Sequence, residues 1–286
     1  MFTAPDLLER EGRKLTAMKF FVDIKRFFAL IFRQKSAIYE LAKRDFQTQN
    51  KDTYLGIIWG YIQPLTYVLL LVVVFSIGLR TNPGGEVPFV VYLICGMIPW
   101  QFFSTTLSSL TQVVKTHSFL VKKGDFSLSI LHVSKILSSL APHLVLLLVT
   151  IIVCWFYGFP PGFHTLQLIY YLALMFILLL GLGWISSSTS LFVPDVANVV
   201  NIITQFGFWL TPIIWNISRV PPKYQWIVKL NPMCYIINGY RDSLFYGTPF
   251  WAKPEETLYF WVVTAVVLLA GVVIFRRLKP HFGEVI

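Results

Sequence analysis

One stretch of the sequence places amide and aromatic side chains at helical spacing. Asn198, Asn201, Gln205, Phe208 and Trp209 lie at offsets of 0, 3, 7, 10 and 11, so a helix carries all five on one stripe. Uncharged amides exchange hydrogen bonds with hydroxyl groups, and aromatic rings stack on the faces of sugar rings. The stripe fits two interpretations: a surface along which a sugar chain passes, or hydrogen-bonded contacts between neighbouring helices.

Motifs for covalent or metal-assisted catalysis are absent from the sequence. There is no GxxxxGK(S/T) loop for nucleotide phosphates, no HExxH or GxSxG motif, and no Cys/His cluster at ligand spacing. Cys95, Cys154 and Cys234 are an odd number at wide spacing, which predicts neither a disulfide framework nor a metal site. We therefore expect a protein that is not an enzyme and binds no cofactor of its own.

The elements that must position the stripe are membrane helices. Hydrophobic residues make up 56% and charged residues 13% of the 286, which leaves too little polar surface for a soluble protein. Six uncharged runs are long enough to cross a bilayer core of about 30 Å. They lie at about 56–79, 88–110, 136–157, 166–192, 196–216 and 258–275. The predicted fold class is an all-α polytopic membrane protein.

The basic residues predict the orientation of these spans. Eighteen of the 24 Lys and Arg residues lie before span one, in the loop after span two or after span six, so these parts face the cytoplasm. Pro194 and Asp195 predict a tight turn between spans four and five. We expect a cytoplasmic segment at 1–55, a single transmembrane domain at 56–277 and a cytoplasmic tail at 278–286.

Two segments outside the spans have helical patterns of their own. Ile24, Phe27, Phe28 and Ile31 repeat at helical spacing among charged residues, which predicts an amphipathic N-terminal helix in the membrane interface. A generic anchor is the alternative. The region at about 218–250, between spans five and six, is apolar but interrupted by proline and glycine, which indicates short re-entrant or periplasmic helices.

If this chain transports a substrate, the energy must come from outside the chain. The six spans contain no Asp, Glu, Lys or Arg, whereas ion-coupled transporters need ionisable groups at membrane depth. In the loop after span two, Phe119 and Leu120 lie between charged residues and could insert into a groove on a partner protein. A solvated loop is the alternative. For His143, inside span three, a packing role is favoured over a proton relay.

A series of short motifs runs through nearly all of residues 40–286. In order, the motifs are Arg44-Asp45-Phe46, Tyr54-Leu55-Gly56, Trp59, Pro64-Leu65, Gly96, Pro99-Trp100-Gln101-Phe102-Phe103, Leu120-Val121-Lys122-Lys123, Pro194-Asp195-Val196, Thr211-Pro212-Ile213, Trp215, Asn231-Pro232, Tyr240-Arg241 and Phe275-Arg276-Arg277-Leu278-Lys279-Pro280. In their order and spacing these motifs resemble the permeases of polysaccharide ABC exporters, of the Wzm, KpsM and TagG kind, and most of all the O-antigen exporter permeases.

This resemblance implies a homodimer in the bacterial inner membrane, with both termini in the cytoplasm. It implies two copies of a soluble ATPase subunit, which would bind the ATP and magnesium, and a lipid-linked, O-antigen-like polysaccharide as cargo. The channel would lie at the dimer interface and be lined mainly by spans one and five. A permease of a small-molecule or drug ABC exporter, and a non-transporting scaffold of glycan assembly, are the alternatives.

The resemblance also assigns residues to three functions. The residues expected to line the channel are Tyr54, Trp59, Tyr61, Tyr67, Asn198, Asn201, Gln205, Phe208 and Trp209. Those expected to couple to the ATPase are Arg44, Asp45, Phe119, Leu120, Lys122, Lys123 and Asp125. Those expected at a periplasmic gate are Asn231, Pro232, Tyr240 and Arg241. Trp59, Tyr61 and Tyr67 also suit an aromatic belt at the membrane interface.

Overall fold

The computed structural model describes residues 29, 31–48, 54, 56–74, 87–122 and 128–285. These residues form helices and connecting turns, with no β-strand among them. The helices of eight residues or more are, in chain order, α1 Lys35–Thr48, α2 Trp59–Val72, α3 Phe89–Thr111, α4 Ser129–Phe156, α5 Gln167–Phe192, α6 Asp195–Leu210, α7 Pro222–Lys229, α8 Pro232–Arg241 and α9 Pro254–Leu278.

Four helical segments are long and apolar enough to cross a membrane. They are Phe89–Thr111, Ser129–Phe156, Phe163–Phe192 and Pro254–Val285, and they coincide with predicted spans two, three, four and six. The helices α2 and α6, within predicted spans one and five, are shorter at 14 and 16 residues. The all-helical prediction is confirmed for the described residues. Of the predicted amphipathic helix, Ile24, Phe27 and Phe28 lie outside them.

The centre of the bundle is α3. It contacts α2, α4, α5, α6 and α8, and its buried residues lie on every face. Val91, Leu93 and Cys95 are fully buried, although neighbouring positions on a helix point in different directions. A helix that is apolar all round can be covered by lipid or by other helices, and here other helices cover it. The five helices that contact α3 are therefore positioned in part by it.

A pair of glycines lets α5 and α9 pack closely. A Cβ atom on Gly271 would lie 2.6 Å from the carbonyl oxygen of Gly181, and one on Gly181 would lie 2.9 Å from the Cα atom of Leu268. Small residues allow two helix backbones to approach where a larger side chain would separate them. This contact holds predicted spans four and six side by side.

The predicted turn between spans four and five is confirmed. The helix α5 ends at Phe192, and Val193 is extended (φ −127°, ψ 93°), as the residue before a proline prefers. The helix α6 begins at Asp195, whose carboxylate lies in the first turn, where the helix N-terminus favours negative charge. The turn directs α6 back across α3.

The C-terminal segment returns to the bundle. Phe282 is fully buried, and its ring centroid lies 5.7 Å from that of Phe275 and 6.3 Å from that of Phe192. The described part of the predicted tail, residues 278–285, therefore packs against the ends of α5 and α9. Burial of an aromatic ring contributes about 2 kcal/mol or more, which is enough to order a short segment.

Candidate channel surface and coupling segment

The amide and aromatic stripe on α6 is exposed along most of its length. Asn198, Asn201, Gln205 and Trp209 are exposed, whereas Phe208 is only 7% exposed. Phe208 lies at the edge of the stripe and packs on Tyr67 of α2, with the ring centroids 5.9 Å apart. The stripe therefore has an exposed part, formed by two asparagines, a glutamine and a tryptophan, and one buried aromatic residue, Phe208.

Contacts with α3 fix the direction in which the stripe points. Ser108 donates a hydrogen bond of 2.8 Å to the Asn201 side-chain oxygen. A Cβ atom on Gly207 would lie 2.8 Å from the Trp100 ring, so this glycine lets α6 approach α3 closely. The surface next to the exposed part of the stripe is apolar. It consists of Val199, Ile202, Ile203, Phe206 and Leu210.

The aromatic residues predicted on span one occupy different environments. Tyr54 is fully exposed, and Trp59 and Tyr67 are 42% and 39% exposed. Tyr61 is half-buried against the core. The contact between Tyr67 and Phe208 brings α2 beside α6, so one surface of the bundle carries residues from both predicted channel helices.

In the predicted coupling region, Asp45 of α1 joins three elements. One carboxylate oxygen lies 3.3 Å from Nε2 of His117, and the other lies 3.7 Å from Nζ of Lys135 in α4. His117 lies between two short helices, Val113–Thr116 and Ser118–Lys122, that follow predicted span two. Asp45 therefore attaches α1 both to the segment after span two and to the start of span three.

The charges of this cluster support each other. For Asp45, burial raises the pKa, but the hydrogen bond from His117 and the positive charge of Lys135 outweigh it, so the pKa is lowered from its usual value. The hydrogen bond to Asp45 raises the pKa of His117, against the opposing effect of burial. Each partner thus stabilises the charged form of the other. The sequence pointed to Asp45 as a coupling residue but not to His117 or Lys135, since no spacing rule connects residues so far apart in the chain.

The remaining predicted coupling residues are more exposed. Phe119 is 50% exposed and Arg44 is exposed, whereas Leu120 packs partly against the core. Lys122 ends the helix Ser118–Lys122. Lys123 and Asp125 lie outside the described residues.

Among the predicted gate residues, Arg241 is buried inside the protein at 2% exposure. Its guanidinium donates hydrogen bonds to the carbonyl oxygens of Pro212 (2.7 Å), Ile213 (2.8 Å) and Tyr92 (3.3 Å), and it lies 3.5 Å from the centroid of the Tyr92 ring. A Cβ atom on Gly96 would lie 2.8 Å from the guanidinium, so the glycine makes room for it. Arg241 thereby fastens α8 to the turn after α6 and to the start of α3.

The other three residues of this group start or brace the same helix. Asn231 caps α8, since its side-chain oxygen accepts a hydrogen bond of 3.0 Å from the Met233 amide, and its amide group donates one of 2.8 Å to Thr211. Pro232 occupies the first turn, where its missing N–H costs nothing. The Tyr240 hydroxyl lies 3.0 Å from Nε2 of His143 in α4. The packing role favoured for His143 is consistent with this buried contact.

A comparison with known proteins places this arrangement in a family. The sequence profile of ABC-2 type transporters matches residues 36–245, which extend from α1 to just beyond α8. The chain belongs to the ABC-2 type transporter family. The contacts of Asp45, Asn201 and Arg241 all lie within the part of this ABC-2 transporter that the profile covers.

Individual relatives of this ABC-2 transporter match over almost their whole length. An O-antigen export system permease protein RfbA of Klebsiella pneumoniae is 26% identical over 249 residues, which cover 86% of this chain and 93% of the relative. RfbA of Myxococcus xanthus is 22% identical, with 89% and 96% covered. The polysialic acid transport protein KpsM of Escherichia coli is 22% identical, with 85% and 93% covered.

Proposed function

We propose that this chain is the permease of an ABC exporter that moves a lipid-linked, O-antigen-like polysaccharide across the bacterial inner membrane. Two copies would form the channel, and a separate pair of ATPase subunits would hydrolyse ATP with magnesium. The observation that carries the proposal is the similarity to polysaccharide permeases along nearly the full length of both chains. In this proposal α2 and α6 complete six spans, and both termini face the cytoplasm.

The exposed surface of α6 suits one side of a glycan channel. Its amides can donate and accept hydrogen bonds with hydroxyl groups, and Trp209 offers a ring for stacking. Uncharged groups hold each sugar weakly, which favours movement of a polymer along the surface. The adjacent apolar strip, from Val199 to Leu210, would contact lipid or the second copy.

The Asp45 cluster suits the transmission of movement from the ATPase. A push on the segment that contains Phe119 would reach α1 and α4 together, because His117 and Lys135 both contact Asp45. The Arg241 contacts would serve the opposite, periplasmic end. There they would make α8 and the turn after α6 move as one unit, so that a gate could open by displacement of the whole unit.

The channel surface is tested by replacing Asn201, Gln205 and Trp209 together with leucine, in a bacterial strain that depends on this chain for surface polysaccharide. We expect the loss of surface glycan with normal amounts of protein in the membrane. The matched control is Ile203→Leu, which changes an exposed residue of the same helix outside the stripe. Unaltered export by the triple variant would exclude a channel-lining role for the stripe.

The ATPase contact is tested by co-purification with the soluble ATPase subunit that this proposal assigns to the chain. Polar replacement of Phe119 and Leu120 combined with charge reversal at Lys122 and Lys123 should abolish association, since an apolar contact and its flanking charges are both removed. Lys223→Glu, on the exposed surface of α7, controls for charge reversal alone. Association that survives the four changes would place the ATPase contact elsewhere.

A further inference from the structure

A polar groove lies between α2, α3 and α4, apart from the stripe on α6. Its volume is about 170 Å³, and α1 closes one end with Phe46. The polar side chains that line it come from all three helices. They are Tyr61 and Gln63 of α2, Gln101, Thr105 and Ser109 of α3, and Ser139 and His143 of α4.

The groove extends from the α1 end of the bundle to the middle of the helices. Along α3 its lining extends from Ser109 to Ile98, a rise of about 16 Å at 1.5 Å per residue. Along α4 it extends from Ser139 to Leu146, about 10 Å. In the proposed orientation the α1 end is cytoplasmic, so the groove occupies the cytoplasmic half of the membrane.

The groove is accessible and is larger than a site for one or two waters. Gln63 and Thr105 are exposed, and Gln101 and Ser139 are half-buried. A water molecule needs about 10–15 Å³ of such volume, so the groove could hold about ten waters or a polar group of comparable size. A ligand can therefore reach it from the surface of the bundle.

The lining leaves polar groups without partners. The side-chain amides of Gln63 and Gln101 make no hydrogen bond to any described residue, and neither does Nδ1 of His143, although His143 is only 3% exposed. The Thr105 hydroxyl donates to the Gln101 carbonyl at 2.7 Å, and the Ser139 hydroxyl donates to the Lys135 carbonyl at 3.1 Å. Both hydroxyl oxygens remain free to accept.

These groups together select an uncharged ligand with many hydroxyl groups. None of the described residues that line the groove is Lys, Arg, Asp or Glu, so a phosphate would leave water without gaining an ionic partner. Two amides, hydroxyl oxygens and a free imidazole nitrogen offer both donors and acceptors, and the rings of Phe46 and Tyr61 offer apolar faces. A sugar ring presents the complementary combination of hydroxyl edges and apolar faces.

We propose that this groove binds an uncharged sugar unit near the lipid end of the cargo, on the cytoplasmic side and before translocation. The inference rests on the proposed function, because the same cargo would pass from the groove to the channel surface. The shared ligand chemistry is an uncharged hexose, which could be carried by a membrane lipid or be free in the cytoplasm. A lipid-borne sugar would be presented at the depth where the groove lies.

The test is the reaction of Ser139→Cys with a water-soluble maleimide, using the full chain with its ATPase in nanodiscs. Cys95, Cys154 and Cys234 are buried, so the unsubstituted chain measures the background. Digalactosyl diacylglycerol should slow the reaction about tenfold when present at about ten times its Kd, since only the free fraction reacts. Phosphatidylglycerol should not slow the reaction. Thr116 is exposed and lies outside the groove, so Thr116→Cys should react at the same rate in both lipids.

The other outcomes also decide the inference. Equal protection by free melibiose would support sugar binding and identify soluble sugar as the source, whereas equal protection by phosphatidylglycerol would overturn it. A Ser139→Cys thiol that does not react without glycolipid would show that the groove is closed and also overturn it. Replacing Gln63 and Gln101 with leucine should remove the protection.

Export in cells separates this inference from the proposed function. If the unsubstituted chain supports glycan export but digalactosyl lipid never protects Ser139→Cys, the groove is not a sugar site and the proposed function stands. If protection occurs but the chain exports no glycan, the groove binds sugar and the proposed function fails.

Discussion

Replacement of Arg241 by methionine tests whether the buried guanidinium holds α8 to the rest of the bundle. Arg241 donates three hydrogen bonds, to the carbonyls of Pro212, Ile213 and Tyr92. Hydrogen bonds to charged groups contribute about 1.5–3 kcal/mol each. Methionine removes these three hydrogen bonds but also removes the cost of burying a charge, which offsets part of the loss. Each buried carbonyl that loses its donor costs about 1–3 kcal/mol, so we expect a net destabilisation of about 3–5 kcal/mol after this offset.

The measurement is thermal unfolding of the purified chain in detergent or nanodiscs. A loss of 1 kcal/mol lowers Tm by about 2–4 °C in a domain of this size, so Arg241→Met should melt about 10 °C below the unsubstituted chain. Lys223→Met is the matched control, since Lys223 is exposed and its cation lies 5.7 Å from the Tyr224 ring. Equal Tm values for the two variants would refute the assignment of Arg241 as a fastening residue.

Three further predictions concern packing, charge and capping. Gly271→Ala should lower the free energy of unfolding by about 1–3 kcal/mol, because the added methyl group pushes α9 away from α5. Gly283 has open space around it, so Gly283→Ala should have the Tm of the unsubstituted chain. Equal Tm values for the two variants would contradict the close packing. Because the pKa of His117 is raised, its ion pair with Asp45 stabilises the folded protein fully below pH 6.5, and this stabilisation is lost as the pH rises through the raised pKa. The variant His117→Gln should therefore show a smaller decline in Tm above pH 6.5. An unchanged decline would refute this role for the ion pair. Asn231→Ala should lower stability by about 1 kcal/mol, because α8 loses its N-terminal cap. The measurement is a lower Tm, which Asn231→Asp should partly restore. An alanine variant as stable as the unsubstituted chain would show that the cap is dispensable.

The sequence alone predicted the helices and the turn between spans four and five. A run of uncharged residues as long as the bilayer is thick leaves the backbone no alternative to helix, because a helix satisfies its own hydrogen bonds. Pro194 removes a hydrogen bond and restricts Val193, so the turn is a local effect as well. The sequence alone predicts such effects because the interacting groups lie within a few residues of one another in the chain.

The candidate surfaces were predicted only in part. Helical spacing placed Asn198, Asn201 and Gln205 on one stripe, but it could not show that Phe208 at the edge of the stripe turns inward to Tyr67. That direction depends on how α6 packs against α3, where Gly207 makes room for Trp100. Packing of one helix on another is decided by side chains distant in the chain.

By itself the sequence determined the membrane environment, the helical class and the lack of Asp, Glu, Lys and Arg within the predicted spans, since each follows from composition and short-range pattern. Only the tertiary structure decided which charges are partners. It paired Asp45 with His117 and Lys135, and it buried Arg241 among backbone carbonyls. The physical reason is that ion pairs and buried hydrogen bonds act over a few ångströms of space, whatever the distance along the chain, and only the packed bundle brings those groups together.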